Sequence, residues 1–473
     1  MGIEEAGDGC LARAGLRRLD FVRSLSILGA AILPLFMEST RVEAADPTFN
    51  RDVAPIIFKN CSPCHRPGEA APFSLLSFAD VVKNGKAIAR ITQSHVMPPW
   101  KAEPASFEYR DNRRLADQDV ATLQEWYRSG MTEGKGEKPV PPKFESGWQL
   151  GEPDLVVEMP AAFHIPADGP DVYRNIPVAL GTTEDKWIAA IDMRPSSRGV
   201  VHHVLYFADP KGRAHLRPSQ GSEPGFNGMG AGGSSIQLGG WAIGAQPHFL
   251  PEGLALRLPK GSDLVVQYHF HPTGKPESEK SRIGLYFAKK PPERTLTRVM
   301  LPPAYSLFAG LDIPAGQKDF VVRDSYTLPV AVDAIGVGAH AHYIAHQMKM
   351  TATLPDGSVK TLLAINDWDF AWQDRYYFKD FVPLPKGTKL EAEIHWDNSS
   401  DNSRNPASPP VRVTWGEESR DEMGAISVFV VAHDQVDFPV LEESMNRRRN
   451  EVARARIQAD PALGARIMKM LAE

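Results

Sequence analysis

Two cysteines stand three residues apart in Cys61-Ser62-Pro63-Cys64-His65. This pattern reads as a c-type haem attachment site. Two thiols at that spacing can add to the two haem vinyl groups, and the adjacent imidazole can reach the iron. A redox dithiol and half of a zinc site share the Cys-x-x-Cys spacing. The His that follows, and the lack of any other cysteine except Cys10, favour haem. A sixth iron ligand is expected downstream. Met97, in Met97-Pro98-Pro99-Trp100, is the first candidate, because a methionine in a Pro-rich loop has no helical face to fill. His95 is its rival. A thioether ligand raises the haem potential, which suits an electron carrier.

Three groups of histidines lie farther along: His202-His203 in HHVLYF, His269 and His271 closing LVVQYHFHP, and His340-Ala341-His342 in GVGAHAHYIAH. Residues i and i+2 of a strand share a face. Val265, Gln267, His269 and His271 therefore share one face, and Leu264, Val266, Tyr268 and Phe270 the other. His340 and His342 point the same way, as a chelating pair must. His202 and His203 diverge on a regular strand, so binding one ion requires a bulge or an irregular strand end. Imidazole ligates copper, zinc and iron, and a thioether favours reduced copper. His164, His215 and His433 read as ordinary hydrogen-bonded residues. No His-Glu-x-x-His is present, which weakens a zinc-hydrolase reading.

These residues must be positioned by a chain of 473 residues, 42% hydrophobic and 23% charged, a folding composition of about three domains. Forty Pro and 38 Gly disfavour a mostly helical protein and suit many short strands. A net charge of −5 leaves no basic excess, so no nucleic-acid partner is expected. Arg13, Arg17, Arg18 and Arg23 precede an apolar run over 25–37 that is short for a membrane span. Val42-Glu43-Ala44 then carries the small residues of a cleavage site, so 1–44 reads as a signal peptide and the protein as periplasmic or secreted. An uncleaved membrane anchor is the alternative. Residues 46–135 read as a small all-α domain, helical over 52–59 and from Leu115 towards Gly130. They resemble the small cytochrome c domains fused to bacterial exported enzymes. Residues 136–150 read as a linker, entered through GKGEKPVPP over 134–142. Runs at 155–159, 200–207, 264–270, 350–354 and 426–431 then predict two all-β, jelly-roll-like sandwich domains over 151–290 and 291–438. A helical tail follows over 439–473.

The clusters in this order resemble the copper type II, ascorbate-dependent monooxygenases, the family of the peptidylglycine α-hydroxylating and dopamine β-monooxygenases. The family pattern is a His pair, a single His at a strand end, His-x-His, then a late Met. His202 and His203 match the pair, His269 the single His, His340 and His342 the His-x-His, and Met423, in SRDEMGAISVF, the late Met. The resemblance covers about 150–437. It implies two β-sandwich lobes with one copper each. His202, His203 and His269 would hold the electron-transfer copper. His340, His342 and Met423 would hold the copper that meets dioxygen and carries catalysis. The reaction implied is hydroxylation of a C–H bond of a small organic substrate, using dioxygen and two electrons. An external donor, ascorbate or a redox protein, would supply them, and a haem bound through Cys61, Cys64, His65 and Met97 would relay them. A non-catalytic electron carrier or copper-binding protein on the same scaffold is the alternative. Two departures stand out. The animal enzymes are disulfide-rich, whereas this chain has only its haem-motif cysteines after the leader. Gly338 occupies the position where the peptidylglycine enzymes carry a carboxylate-gripping Arg, which argues against a peptide C-terminus as substrate. Tyr343 and the aromatic run 368–372 are candidates to line a pocket, or else core.

Covalent attachment predicts that a Cys61→Ala, Cys64→Ala double variant carries no haem on a denaturing gel stained for peroxidase activity. Staining of wild-type strength would exclude this attachment.

Overall fold

From residue 150 onward the chain alternates apolar and polar residues in short runs, cut by Gly and Pro. The computed structural model, which describes residues 46–69, 71–144, 147–217, 223–227 and 235–465, pairs these runs into antiparallel sheets. The leader expected over 1–44 and the last residues of the tail lie outside the described residues.

Two four-stranded sheets make a first sandwich. One orders its strands Val172–Ala179, Asp263–Phe270, Val201–Asp209 and Ile236–Ala242; the other Leu155–Glu158, Arg282–Phe287, Lys186–Arg194 and Leu256–Leu258. Val157, Ile188 and Ile283 from one sheet and Val204, Leu264 and Phe270 from the other meet in one buried cluster. Strand Asp263–Phe270 is buried along its whole length. Leu264, Val266, Tyr268 and Phe270 face that core, while Val265 packs on the other face against Ala214 and Phe226. The expected alternation is present, but both faces are covered.

The second sandwich repeats the plan. Strands Leu296–Leu301, Gly424–Ala432, Val332–Ala341 and Arg375–Leu384 form one sheet. Strands Phe320–Thr327, Lys389–Trp396, Ala345–Thr353 and Val359–Ile365 form the other. In Lys389–Trp396 the residues Leu390, Ala392, Ile394 and Trp396 are buried, and the residues between them face outward. Removing each such large apolar side chain from water stabilises the fold by about 1.5–3 kcal/mol.

Before these sheets the regular elements are helical: Ala54–Asn60, Phe78–Lys83, Gly85–Gln93 and Asp117–Arg128, preceded by a helical turn at Phe49–Val53. Pro55 opens the first, where its missing N–H costs nothing. The Ser77 hydroxyl caps the second by accepting from Asp80 N at 3.1 Å. Gly130, with φ of +94°, follows the last as a left-handed terminator. Phe49, Ile57, Val81, Leu123 and Trp126 pack together as their own cluster. Residues 100–109 leave that cluster: Trp100, Ala102 and Tyr109 belong to the core of the second sandwich. The Tyr109 hydroxyl donates to Leu362 O at 2.6 Å, and Glu103 N to Ala364 O at 2.8 Å. The stretch expected as one small helical domain is thus stitched into the second sandwich at its middle. The chain closes with helix Phe438–Ala459, seated by Leu441 and by Arg448, which binds Asp324 and Ser325 O. No helix among the described residues is long and apolar enough to cross a membrane.

Leu363 is fully buried in the second core. Leu363→Ala should lower the stability of that sandwich by about 2–5 kcal/mol, read from chemical denaturation.

Candidate metal centre

In the first sandwich His203 faces His269 across the ladder, while Val201 faces Phe270, so the register shifts and His202 is an extra residue in a bulge. The bulge does what a regular strand could not. His202 Nδ1 lies 3.2 Å from His203 Nδ1 and 3.0 Å from His269 Nδ1, and the last two are 3.4 Å apart. Nitrogen ligands on a tetrahedral ion with bonds of about 2.0–2.1 Å stand about 3.3 Å apart. The opposite ring nitrogens are committed elsewhere. His202 Nε2 donates to Ala371 O at 2.9 Å, and His269 Nε2 to Asp171 Oδ2 at 2.9 Å. A neutral imidazole donating from Nε2 keeps its lone pair on Nδ1. At least two lone pairs therefore point at the place that His203 Nδ1 also faces. Burial pushes His202 down to about 3 and His203 well below its ordinary value. It also lowers His269, against the pull of Asp171. All three are neutral at pH 7, as ligation requires.

Asp171 holds this arrangement from outside. Burial opposes its ionisation, but hydrogen bonds from His269 and His271 outweigh that and keep its carboxyl below the usual carboxylate range. His271 Nδ1 binds its other oxygen at 2.7 Å, and the Tyr343 hydroxyl donates to Oδ2 at 3.2 Å. The Tyr173 ring stacks on His269 at 4.4 Å between centroids.

A second cluster forms at the edge of the other sandwich. Ladder pairs His340↔Ala425 and Ala341↔Gly424 bring Met423 to the rung opposite His342. His340, His342 and Met423 then share one face of the sheet. His340 Nδ1 donates to Gln373 Oε1 at 2.5 Å, and its Nε2 is buried with no hydrogen-bond partner. His342 Nδ1 donates to Asp421 O at 3.1 Å. Burial lowers His340 to about 4 and His342 to about 3. Glu422 is buried beneath them. Its carboxylate accepts from His342 N at 3.1 Å, Ile344 N at 2.8 Å, Met423 N at 3.2 Å and Trp396 Nε1 at 3.0 Å. Burial pushes its carboxyl up to about 8, against these four donors, which favour the ionised form. It clamps the His-x-His segment to the Met segment through their backbones. Phe370 joins the two clusters, its ring centroid 5.5 Å from that of His269 and 5.7 Å from that of His342.

At the cysteine motif, Cys61 caps helix Ala54–Asn60 and its carbonyl accepts from Cys64 N and His65 N. The thiols are free. Burial pushes Cys61 up to about 12; it also raises Cys64, against the nearby Arg113, Arg66 and Arg198. A redox dithiol needs the reverse, a depressed thiol. His65 Nδ1 lies 3.2 Å from Phe73 O and donates to it, which leaves Nε2 as the ligating atom. Met97 and the motif line one cavity; His95 is exposed and does not border it.

That cavity also reaches the histidines. It measures 1680 Å³ and is bordered by Cys64, His65, Met97, His203, His340 and Met423. A single small ligand typically occupies a pocket of about 300–1,000 Å³. Arg113 holds its walls together by donating to Gly244 O at 2.8 Å and pairing with Asp374. Of the aromatic run, Trp368 and Phe370 are buried packing residues, and Trp372 borders the cavity. Tyr343 does not border it and binds Asp171 instead. Sequence reasoning passed over Asp171, Glu422 and Gln373 as functional residues. Glu422 had a signal, an acid beside the candidate ligand Met423; Asp171 and Gln373 had none, since their contacts come only from the fold.

No protein-family model matches the chain, and no curated protein does. Among solved structures, it is similar to the infectious bursal disease virus VP2 subviral particle at 8% identity, covering 60% of this chain and 72% of that one, TM-score 0.19. PNGF-II matches at 11% identity over 62% and 65%, TM-score 0.21. The major capsid protein P2 of bacteriophage PM2 matches at 10% over 55% and 97%, TM-score 0.20. Scores this low carry no argument about function.

If the triad binds copper, Asp171→Ala should weaken that binding about 10–100-fold, the usual cost of losing an outer partner of a ligating imidazole. Competition with a copper chelator measures it.

Proposed function

We propose that this chain is an exported copper- and haem-containing monooxygenase that hydroxylates a C–H bond of a small organic substrate. The observation that carries the reading is the convergence of three imidazole Nδ1 atoms within 3.4 Å, with two of the opposite ring nitrogens already bonded. Three neutral nitrogens so placed fit a transition ion. The orphaned His340 Nε2 supports a second ion beside Met423. The turn around Cys61 and Cys64, with the Nδ1 of His65 occupied, supports covalent haem.

Copper bound at these two sets would supply one-electron redox chemistry and dioxygen activation, and haem an electron relay. The chain's own residues prepare the rest. His202, His203 and His269 offer three imidazoles, a set that serves both copper oxidation states. His340, His342 and Met423 form a softer set that favours reduced copper. Asp171 and Gln373 orient rings through the nitrogens that face away from the ion. Glu422 keeps two ligand segments in register. Phe370 packs between the two clusters and excludes water from the space that it fills. The substrate side of the cavity is bordered by Gly338 and Trp372, and Arg375 stands opposite Gly338 in the ladder with its guanidinium 5.3 Å from the Phe429 ring. External electrons would enter at the haem end of the same cavity.

The metal-loaded protein is expected to couple dioxygen uptake to reductant and substrate, which separates an enzyme from a passive carrier. Met423→His should keep its second copper, because imidazole also ligates copper, yet lose most hydroxylation with the soft ligand gone. His202→Ala should lose the triad's copper and keep the other. Metal counts and paramagnetic resonance on each variant distinguish the two. Hydroxylation by Met423→His at the wild-type rate would make Met423 a core residue and overturn the second copper set.

A further inference from the structure

The outer face of the second sandwich carries another group of ligand-type side chains: Asp319, His346 and His395. Strand Lys389–Trp396 turns Ile394 and Trp396 into the core, so His395 stands on the opposite face. Val321 pairs with His395 on one side, which places Asp319, two residues earlier, at the mouth of the neighbouring strand on that same face. On the other side Ala345 pairs with Trp396 and Gln347 with His395. His346 is the extra residue of that bulge, and the bulge takes it out of the alternation that would bury it.

The three residues each offer a donor atom within 4.8 Å of the other two. His395 Nδ1 is 2.7 Å from Asp319 Oδ1, and His346 Nε2 is 3.8 Å from the same oxygen. The two rings stand 5.8 Å apart at 71°. His395 Nε2 is 2.6 Å from Glu393 Oε1, so a carboxylate already fixes the ring from behind. His346 Nε2 is buried and makes no hydrogen bond, a rare state for a polar atom without an ion or water to face.

We propose that Asp319, His346 and His395 form a zinc site, separate from the two copper sets and independent of the monooxygenase reading. Two imidazoles and one carboxylate with a fourth position left to water is a set that zinc takes at about 2.0–2.2 Å. No thioether or thiolate is present to favour copper in its reduced state. The ion would tie three neighbouring strands at one end. It would also brace the bulge, whose His346 carbonyl accepts from Trp368 N at 2.9 Å, while the Trp368 indole donates to His342 O at 3.0 Å. The ion would thus sit one hydrogen-bonded step from the His-x-His segment.

The test uses the full chain as purified, with its haem and copper content counted first. It is dialysed against micromolar zinc, and its zinc and copper are counted by elemental analysis. The wild type should gain one zinc per chain with copper unchanged, and its Tm should rise. His346→Gln, His395→Gln and Asp319→Asn should each lose that zinc and the rise, with copper and haem content as in the wild type. Asp319 is exposed, so its variant tests the site without disturbing the core. The proposal is overturned if the wild type takes up no zinc, if zinc enters only as copper leaves, or if the three variants bind zinc as the wild type does. In those cases His395 is an ordinary imidazole shared by two carboxylates.

Discussion

Three imidazole Nδ1 atoms converge on one point in the first sandwich, and a bound ion or a shared proton reconciles the lone pairs that face it. The strands and loops around that point hold the three rings in place. The central ladder gives up one residue of pairing at His202 to bring a third ring to the point. Ala371, on a loop of the second sandwich, and Asp171, at the start of a neighbouring strand, each take up an outward nitrogen. Tyr173 stacks on one ring, and Phe370 packs against two. Each of these contacts is modest alone; together they leave the rings one orientation. The second cluster uses a different device: its two histidines need no bulge, and the buried Glu422 side chain holds their segment to that of Met423.

Much of this was legible in the residues. The runs at 264–270 and 426–431 read as strands, and both are, because the side-chain period of a strand is independent of what it pairs with. For His202 and His203 to share one ion, a bulge or an irregular strand end was required, and the strand has the bulge. The strand over 350–354 was read short: it starts at Ala345, where the bulge at His346 breaks the alternation that identifies a strand. What could not be read was contact between distant segments. Nothing in the types of residues 100–109 shows that they serve the second sandwich rather than the helices around them. The Asp171 role depends on a strand pairing, Tyr173↔His269, that no local pattern encodes. Glu422 is the instructive middle case. It lies beside a candidate ligand, yet its work is done on backbone N–H groups, which one-dimensional reading does not register.

The shared cavity explains why the helical segment and the two sandwiches are fastened as they are. Arg113 reaches from the helical side to a carbonyl of the first sandwich and a carboxylate of the second. Trp100 and Tyr109 pack on Tyr376 in the second core. A cysteine motif held on a loose tether would present a variable gap to the histidines. Anchoring the chain just after Met97 limits that freedom.

The bulges carry a consequence for how such centres arise. Each is a single additional residue in a ladder whose register is otherwise intact, and each places a histidine beside another on the adjacent strand. In terms of descent, a one-codon insertion is enough to turn an outward-facing histidine into half of a chelate without recutting the hydrophobic core. A one-codon deletion reverses it. The hydrophobic faces on either side of such a bulge keep their alternation, so the histidine cluster and the core beneath it are separable features of the same strand.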